Sequence, residues 1–403
     1  MISKLWCGLA ALLCGAAGLG AAEPIVILIG VDGFRADYLE KFQPPNLVQL
    51  AKDGVRADSM TASFPTLTFP NFYTLATGLR PARHGIIGNA MFDPEFGARF
   101  ALGEPSVQDG RWWSGEPIWV TAEKQGVRSA CMFWPGSEAE IAGKRPWEWR
   151  KFDSKMSPDE RVRVVLDWLS RPEAERPRLI TLYFHEADSA GHRFGPDAKE
   201  TADAVALVDT AIGQLREGVH RLGLDGTVQY VIVADHGMAE VSPDRVVALS
   251  SLLDLNKVQV DFTGAVAGLR PREGVSVDEI YQTLAAQQGN YAVYRKEEVP
   301  EELHFRDHRR IPPLVLIAKE GWYIQHNPVT PASRASFPKG AHGFVPSLTS
   351  MNALFVASGP AFRPGVTVPV FENVQIYNLL CATLGLKPAK NDGDNRLVQQ
   401  VLK

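Results

Sequence analysis

The sequence predicts an α/β fold: a mostly parallel central sheet with helices on both faces and an inserted small lobe. Three observations lead there. Unbroken apolar, β-branched runs recur along the chain, amphipathic helical stretches separate them, and one late stretch follows neither pattern. The first run, Ile25 to Val31, ends in Asp32-Gly33 and reads as a strand buried on both faces. The same pattern recurs at Leu179 to Phe184, Val228 to Ala234 and Ala353 to Ala357. Between them, Ser157-Pro158-Asp159-Glu160 opens a helix: Ser is the N-cap, Pro sits in the first turn, and Glu closes a capping box. Val162, Val165, Leu166 and Leu169 continue it. A second helix sets Val205, Val208, Ile212, Leu215, Val219 and Leu222 on one face and stops at Gly223. From about Leu255 to Arg334, short strand-like runs, paired prolines and scattered charge mark the inserted lobe, 255–334.

Composition narrows the classes. The chain has 403 residues, 45% hydrophobic and 22% charged, with 35 Gly and 28 Pro, which excludes disorder, collagen and coiled coil. The formal net charge is −4 and no long Lys/Arg run occurs, so no stable nucleic-acid complex is expected. Lys4, the apolar stretch Leu5 to Leu19 and the small residues Gly20-Ala21-Ala22 have the shape of a secretory leader over residues 1–22. The mature chain is expected to start at Glu23, exported to the periplasm or secreted, with no membrane span; the alternative is a retained anchor helix. Cys7 and Cys14 belong to that leader. Cys131 and Cys381 remain, too few for a disulfide framework, and read as buried inert thiols.

Ligands of an open parallel sheet bind outside the carboxyl ends of its strands. The residues that follow each strand are therefore informative. After the first comes Asp32-Gly33, after the second Glu186-Ala187-Asp188-Ser189-Ala190-Gly191-His192, after the third Asp235-His236-Gly237. Gly340-Ala341-His342-Gly343 adds a late glycine-flanked histidine. Singly, an Asp-Gly reads as a turn and a histidine as a hydrogen-bonded one. Together at strand ends, carboxylates and imidazoles without cysteine are the donor set for zinc or a similar metal beside water or substrate. Asp188 and His192, four apart, share one helix face. Three Asp and three His can supply three ligands to each of two ions. His84, His185, His220, His304, His308 and His326 are expected at the surface or in structural roles.

A second constellation is Phe64-Pro65-Thr66-Leu67-Thr68-Phe69-Pro70-Asn71, followed by a helical pattern through Phe72, Leu75 and Ala76 to Gly78. Thr68 falls where an N-cap belongs. Its hydroxyl either caps that helix or, beside free backbone N–H groups and the positive helix end, serves a phosphate oxyanion and acts as a metal-activated nucleophile.

Val31-Asp32-Gly33-Phe34-Arg35, the Phe64 to Asn71 motif, Thr77-Gly78-Leu79 with His84-Gly85-Ile86-Ile87-Gly88-Asn89, Gly115-Glu116-Pro117-Ile118-Trp119, Phe133-Trp134-Pro135-Gly136-Ser137 and Ala234-Asp235-His236-Gly237-Met238 occur in that order. In this register the chain resembles the nucleotide pyrophosphatase/phosphodiesterase family of the alkaline phosphatase superfamily, most of all a compact bacterial-type member. The resemblance implies an alkaline-phosphatase-like fold and a single catalytic domain over 23–403. It implies two zinc ions: one held by Asp188, His192 and His342, the other by Asp32, Asp235, His236 and the Thr68 oxygen. Thr68 is then the nucleophile. Asn89 joins the Thr68 backbone N–H in holding a phosphate oxygen, and Phe69, Trp134, Phe152 and Tyr183 form the slot for base and nucleoside. Phe152 stands where a tyrosine is often found, and Leu67 where many relatives carry lysine.

The activity so implied is zinc-dependent hydrolysis of nucleotide phosphodiester or pyrophosphate bonds, as in nucleoside triphosphates. It releases nucleoside 5′-monophosphates through a nucleotidyl-threonine intermediate. Two zinc ions against three aspartates leave a local charge of about +1 for a phosphodiester, in a chain whose overall charge is negative. The rival readings are a phospholipid or choline phosphodiesterase of the same family, and a non-catalytic exported protein that binds nucleotide or metal. A hydroxyl at the attack position argues against the latter, since pure binding has no use for a nucleophile.

Overall fold

The computed structural model describes residues 23–403; the leader expected over 1–22 lies outside the described residues. Eight strands form the central sheet: β1 (Ile25–Val31), β2 (Val55–Ala57), β3 (Ser129–Met132), β4 (Glu148–Arg150), β5 (Leu179–Phe184), β6 (Val228–Val233), β7 (Phe355–Ser358) and β8 (Val366–Val368). Their order is β8-β2-β7-β6-β1-β5-β3-β4. Every residue of β1, β5 and β6 is buried, which is why these three read as continuous apolar runs. They pair in parallel, with Ile29 opposite both Leu182 and Ile232. Their carboxyl ends therefore open on one edge, which brings the segments after Val31, Phe184 and Val233 side by side.

The run expected as a strand over Ala353 to Ala357 forms β7 two residues later and antiparallel to both neighbours. A fully apolar run carries no sign of its direction, and Ala353 itself bridges to Arg35 and Met60 instead.

Four helices position the site: α1 (Thr68–Thr77), α2 (Pro158–Ser170), α3 (Glu186–Phe194) and α4 (Lys199–Arg221). The capping box of α2 forms as expected, the Ser157 hydroxyl accepting from the Glu160 N–H at 3.3 Å and the Glu160 carboxylate accepting from the Ser157 N–H at 2.8 Å. The apolar face of α4 ends one turn early, because Leu222 lies beyond the last helical residue and is 38% exposed. Gly30, inside β1, is the residue that lets aromatic rings lie on the sheet: a Cβ there would sit 2.5 Å from Phe72 Cε1 and 2.9 Å from Trp134 Cζ3.

Strands Val258–Phe262, Val266–Pro271, Leu314–Ala318 and Tyr291–Arg295 form a second, antiparallel sheet in that order, flanked by helix Val277–Ala285. Leu269, Leu284, Leu314 and Leu316 sit in an apolar cluster separate from the main core. The chain then returns through Gly340–Ala341, which pairs with Ala239–Glu240 just after β6. Cys131 and Cys381 are buried free thiols, both pushed up to about 12 chiefly by burial. Among the described residues no helix is long and apolar enough to cross a membrane.

Candidate active site

At the open edge of β6, β1 and β5 the structure gathers Asp32, Asp188, His192, Asp235, His236 and His342. Gly33 makes the turn after β1 at φ 67°, and a Cβ there would lie 2.9 Å from Asp188 Cα, so the first turn of α3 rests directly on this glycine. The Gly33 N–H donates to Asp235 Oδ1 at 3.1 Å, and the Tyr183 hydroxyl donates to Asp32 Oδ2 at 2.6 Å. His342 comes back from beyond the lobe because the segment before α1 grips it: its Nδ1 lies 2.9 Å from the Thr66 carbonyl, and the Gly343 N–H donates to Thr66 Oγ1 at 2.9 Å.

The three imidazoles are oriented alike. His192 Nδ1 meets the Gly340 carbonyl at 2.8 Å, His236 Nδ1 the Gly237 carbonyl at 2.9 Å, and His342 Nδ1 that of Thr66. A carbonyl only accepts, so each Nδ1 carries the proton and each Nε2 presents a lone pair. Those lone pairs face other acceptors. His192 Nε2 is 3.1 Å from His342 Nε2, and Asp188 Oδ1 lies 3.4 and 3.5 Å from the two. His236 Nε2 lies 2.9 Å from Asp235 Oδ2 and 3.5 Å from Asp32 Oδ1. Asp32 Oδ1, Asp188 Oδ1 and Asp235 Oδ2 are buried without a hydrogen-bond partner.

Acceptors crowded in this way call for cations, and the donor chemistry suits zinc. Two groups have the necessary proximity, Asp188 with His192 and His342, and Asp32 with Asp188 and His236, the donor atoms of each lying within 4.8 Å of one another. Asp188 reaches both groups, a sharing that the sequence does not suggest. Electrostatics agree. Burial, reinforced by the neighbouring carboxylates, holds Asp32 well above the usual carboxylate range; Asp235 is raised in the same way, while burial beside His236 and His192 drives His342 well below the usual histidine range.

Thr68 differs from its expected place by one residue. Leu67 occupies the N-cap, at φ −116° and ψ 155°, and Thr68 is the first residue of α1. No side-chain cap bond forms, so the capping role is excluded. The Thr68 hydroxyl instead lies 3.4 Å from His236 Nε2. Asn89 accepts from the Phe69 N–H through Oδ1 at 2.8 Å, which fixes the amide and leaves its NH₂ as the free donor.

A cavity of about 600 Å³ opens here, lined by Asp32, Thr68, Asn89, Asp188, His192 and His342 at one end and by Phe69, Trp134, Phe152 and Tyr183 along its walls. The four aromatic positions are not equivalent. Trp134 is 1% exposed, packs edge-on against Phe72 and donates its Nε1–H to the Phe72 carbonyl at 3.1 Å, so it is floor. Phe152 is 41% exposed and forms the lip, and Leu102, 50% exposed, also lines the cavity. Leu102 carried no signal in the sequence. His185, expected in a surface or structural role, also lines the cavity, with its Nδ1 3.1 Å from Ser189 Oγ. Its place immediately after β5 is the signal that could have found it.

Comparison with known proteins follows the same lines. The family described as type I phosphodiesterase / nucleotide pyrophosphatase matches residues 26–345. Ectonucleotide pyrophosphatase/phosphodiesterase family member 1 of Mus musculus is 38% identical over 392 residues, covering 94% of this chain and 43% of the relative. Venom phosphodiesterase CdcPDE of Crotalus durissus collilineatus is 36% identical over 397 residues, covering 95% of this chain and 47% of the relative. The chain thus spans less than half the length of these two relatives. Murine ectonucleotide pyrophosphatase/phosphodiesterase 5, solved as an inactive threonine-to-alanine variant in complex with AMP, superposes with a TM-score of 0.90 at 34% identity, covering 94% of this chain and 100% of that one.

Proposed function

The chain belongs to the type I phosphodiesterase / nucleotide pyrophosphatase family of the alkaline phosphatase superfamily, and from that premise we propose that it is a zinc-dependent hydrolase of nucleotide phosphodiester and pyrophosphate bonds. The observation that carries this reading is the Thr68 hydroxyl: released from capping, it stands 3.4 Å from His236 Nε2, beside unpartnered carboxylate oxygens and at the end of an aromatic-walled cavity.

Two zinc ions, one with Asp188, His192 and His342 and one with Asp32, Asp235, His236 and Thr68, would supply charge neutralisation of the phosphate and acidify the hydroxyl and water beside them. The chain's residues do the rest. Thr68 Oγ1 attacks phosphorus in line; the bond to the leaving oxygen breaks, the threonine proton passes by way of solvent to that departing oxygen, and a nucleotidyl-threonine forms. Water then attacks the same phosphorus, the nucleoside 5′-monophosphate departs, and Thr68 regains its proton. The Asn89 amide, held by the Phe69 N–H, donates to the phosphate oxygen on which charge grows, together with the Thr68 N–H at the start of α1. Tyr183 holds Asp32 in place through its hydroxyl and presents its ring to the cavity. Phe69 and Phe152 offer ring faces to a planar base.

The murine neighbour supports the threonine assignment, since its inactive form carries a threonine-to-alanine change and still holds AMP. Relatives named as ecto- and venom enzymes support action outside the cytoplasm; we place that action in the periplasm or in secretion and assign it to a single catalytic domain over 23–403. The test compares nitrophenyl esters of a nucleoside 5′-monophosphate, of phosphorylcholine and of phosphate on zinc-loaded protein. The nucleotide ester is the expected best substrate; preference for the phosphorylcholine ester overturns the substrate assignment.

A further inference from the structure

Arg161 lies in α2, away from the metal-facing side chains, and its side chain is completely buried. A buried guanidinium needs every donor engaged and its charge met. Arg161 achieves both through three different segments. Its Nε and Nη2 donate to the Met156 carbonyl at 3.0 and 2.7 Å; Nη1 donates to the Tyr183 carbonyl at 3.1 Å; and Nη2 pairs with Glu186 Oε1 at 2.8 Å. The guanidinium also lies over the rings of Phe133 and Phe184, at 5.6 and 5.7 Å.

These partners are the joints of the site. Glu186 is the first residue of α3, which carries Asp188 and His192. Tyr183, the last residue but one of β5, holds Asp32. Met156 closes the loop that presents Phe152 at the cavity lip, and Phe133 lines the cavity. We propose that Arg161, through its ion pair with Glu186, is a positioning residue that fixes the metal-ligand helix and the aromatic slot in one mutual geometry. The proposal rests on the reading of the site as a zinc phosphodiesterase. Partners that orient metal ligands from behind typically change affinity by about 10-fold to 100-fold when lost.

The experiment uses the full chain with Arg161→Lys, Arg161→Met and Glu186→Gln. Three quantities are read: zinc affinity by competition with a chromophoric chelator, KM and kcat for a nucleoside nitrophenyl phosphate, and the melting temperature. Zinc affinity is expected to fall about tenfold in Glu186→Gln and KM to rise about threefold or more, with Arg161→Lys milder than Arg161→Met. If the arginine variants do not fold, Glu186→Gln decides alone. A lowered melting temperature with zinc affinity or KM within twofold of the parent overturns the proposal. If the parent itself fails to hydrolyse the nucleotide ester, the proposed function falls, while the zinc comparison still judges the link from Arg161 to α3.

Discussion

His192 Nε2 and His342 Nε2 stand 3.1 Å apart, each with its Nδ1 committed to a backbone carbonyl. Two lone pairs at that distance repel unless a cation or a proton lies between them, and Asp188 Oδ1 completes the third side at 3.4 and 3.5 Å. Exhaustive chelation is therefore expected to abolish turnover and lower the melting temperature, and added zinc to restore both. The His342→Ala protein should bind one zinc fewer than the parent by mass or atomic absorption. Full turnover in chelator contradicts the metal reading.

Asn89 makes a sharper case for electrostatic stabilisation. Its Oδ1 is occupied by the Phe69 N–H, so only the NH₂ faces the phosphate position. Replacing Asn89 by Ala is expected to lower kcat about 100-fold to 1000-fold, or about 3 to 4 kcal/mol, with a smaller change in KM. A KM effect with unchanged kcat would show the amide binding ground state and transition state alike.

Phe152 rather than Trp134 is the informative aromatic. Trp134 is buried and bonded to Phe72, so its removal confounds binding with stability, whereas Phe152 is exposed at the lip. Loss of a base-stacking ring typically costs about 1 kcal/mol or more, roughly a fivefold effect. Phe152→Ala is expected to raise KM for a nucleotide ester by at least that factor and to leave a small aryl diester without a base unaffected. Equal effects on both substrates argue against stacking.

His84 sets part of the acid limit. It is fully buried; its Nδ1 accepts from the Ile86 N–H at 3.1 Å, and its Nε2 faces the Pro70 carbonyl and the Thr74 hydroxyl. Burial, with His308 and Arg310 nearby, pushes its pKa down to about 3 from 6.5. The folded state thus prefers the neutral ring. Its contribution is complete above about 6.5 and is lost as pH falls towards 3, because the unfolded chain takes up the proton first. His84→Gln should lower the melting temperature at pH 8 yet flatten its decline below about pH 6.5; an identical decline in both proteins would exclude this histidine.

Much of the centre was legible because parallel strands deliver whatever follows them to one edge. Asp32, Asp188 and Asp235 could be placed from strand ends alone, and His192 from helical spacing. What escaped has physical causes. Thr68 misses its expected cap position by one residue, a difference that backbone dihedrals decide and residue types do not. A buried arginine such as Arg161 looks like any charged residue on the exposed side of an amphipathic helix, since its partners Met156, Tyr183 and Glu186 come together only in space. Leu102 escaped for the same reason, whereas His185, directly after β5, could have been placed like the aspartates. The direction of β7 could not be read from an apolar run, although its burial could.

The central claim is that Thr68 Oγ1 attacks phosphorus. Thr68→Ala, loaded with zinc and assayed on a nucleoside nitrophenyl phosphate, tests it most directly. Turnover is expected to fall by at least about 1000-fold, given that a covalent nucleophile usually contributes more than a single oxyanion donor, while zinc content and nucleoside monophosphate binding persist. Turnover within tenfold of the parent, with both metals in place, would contradict the account.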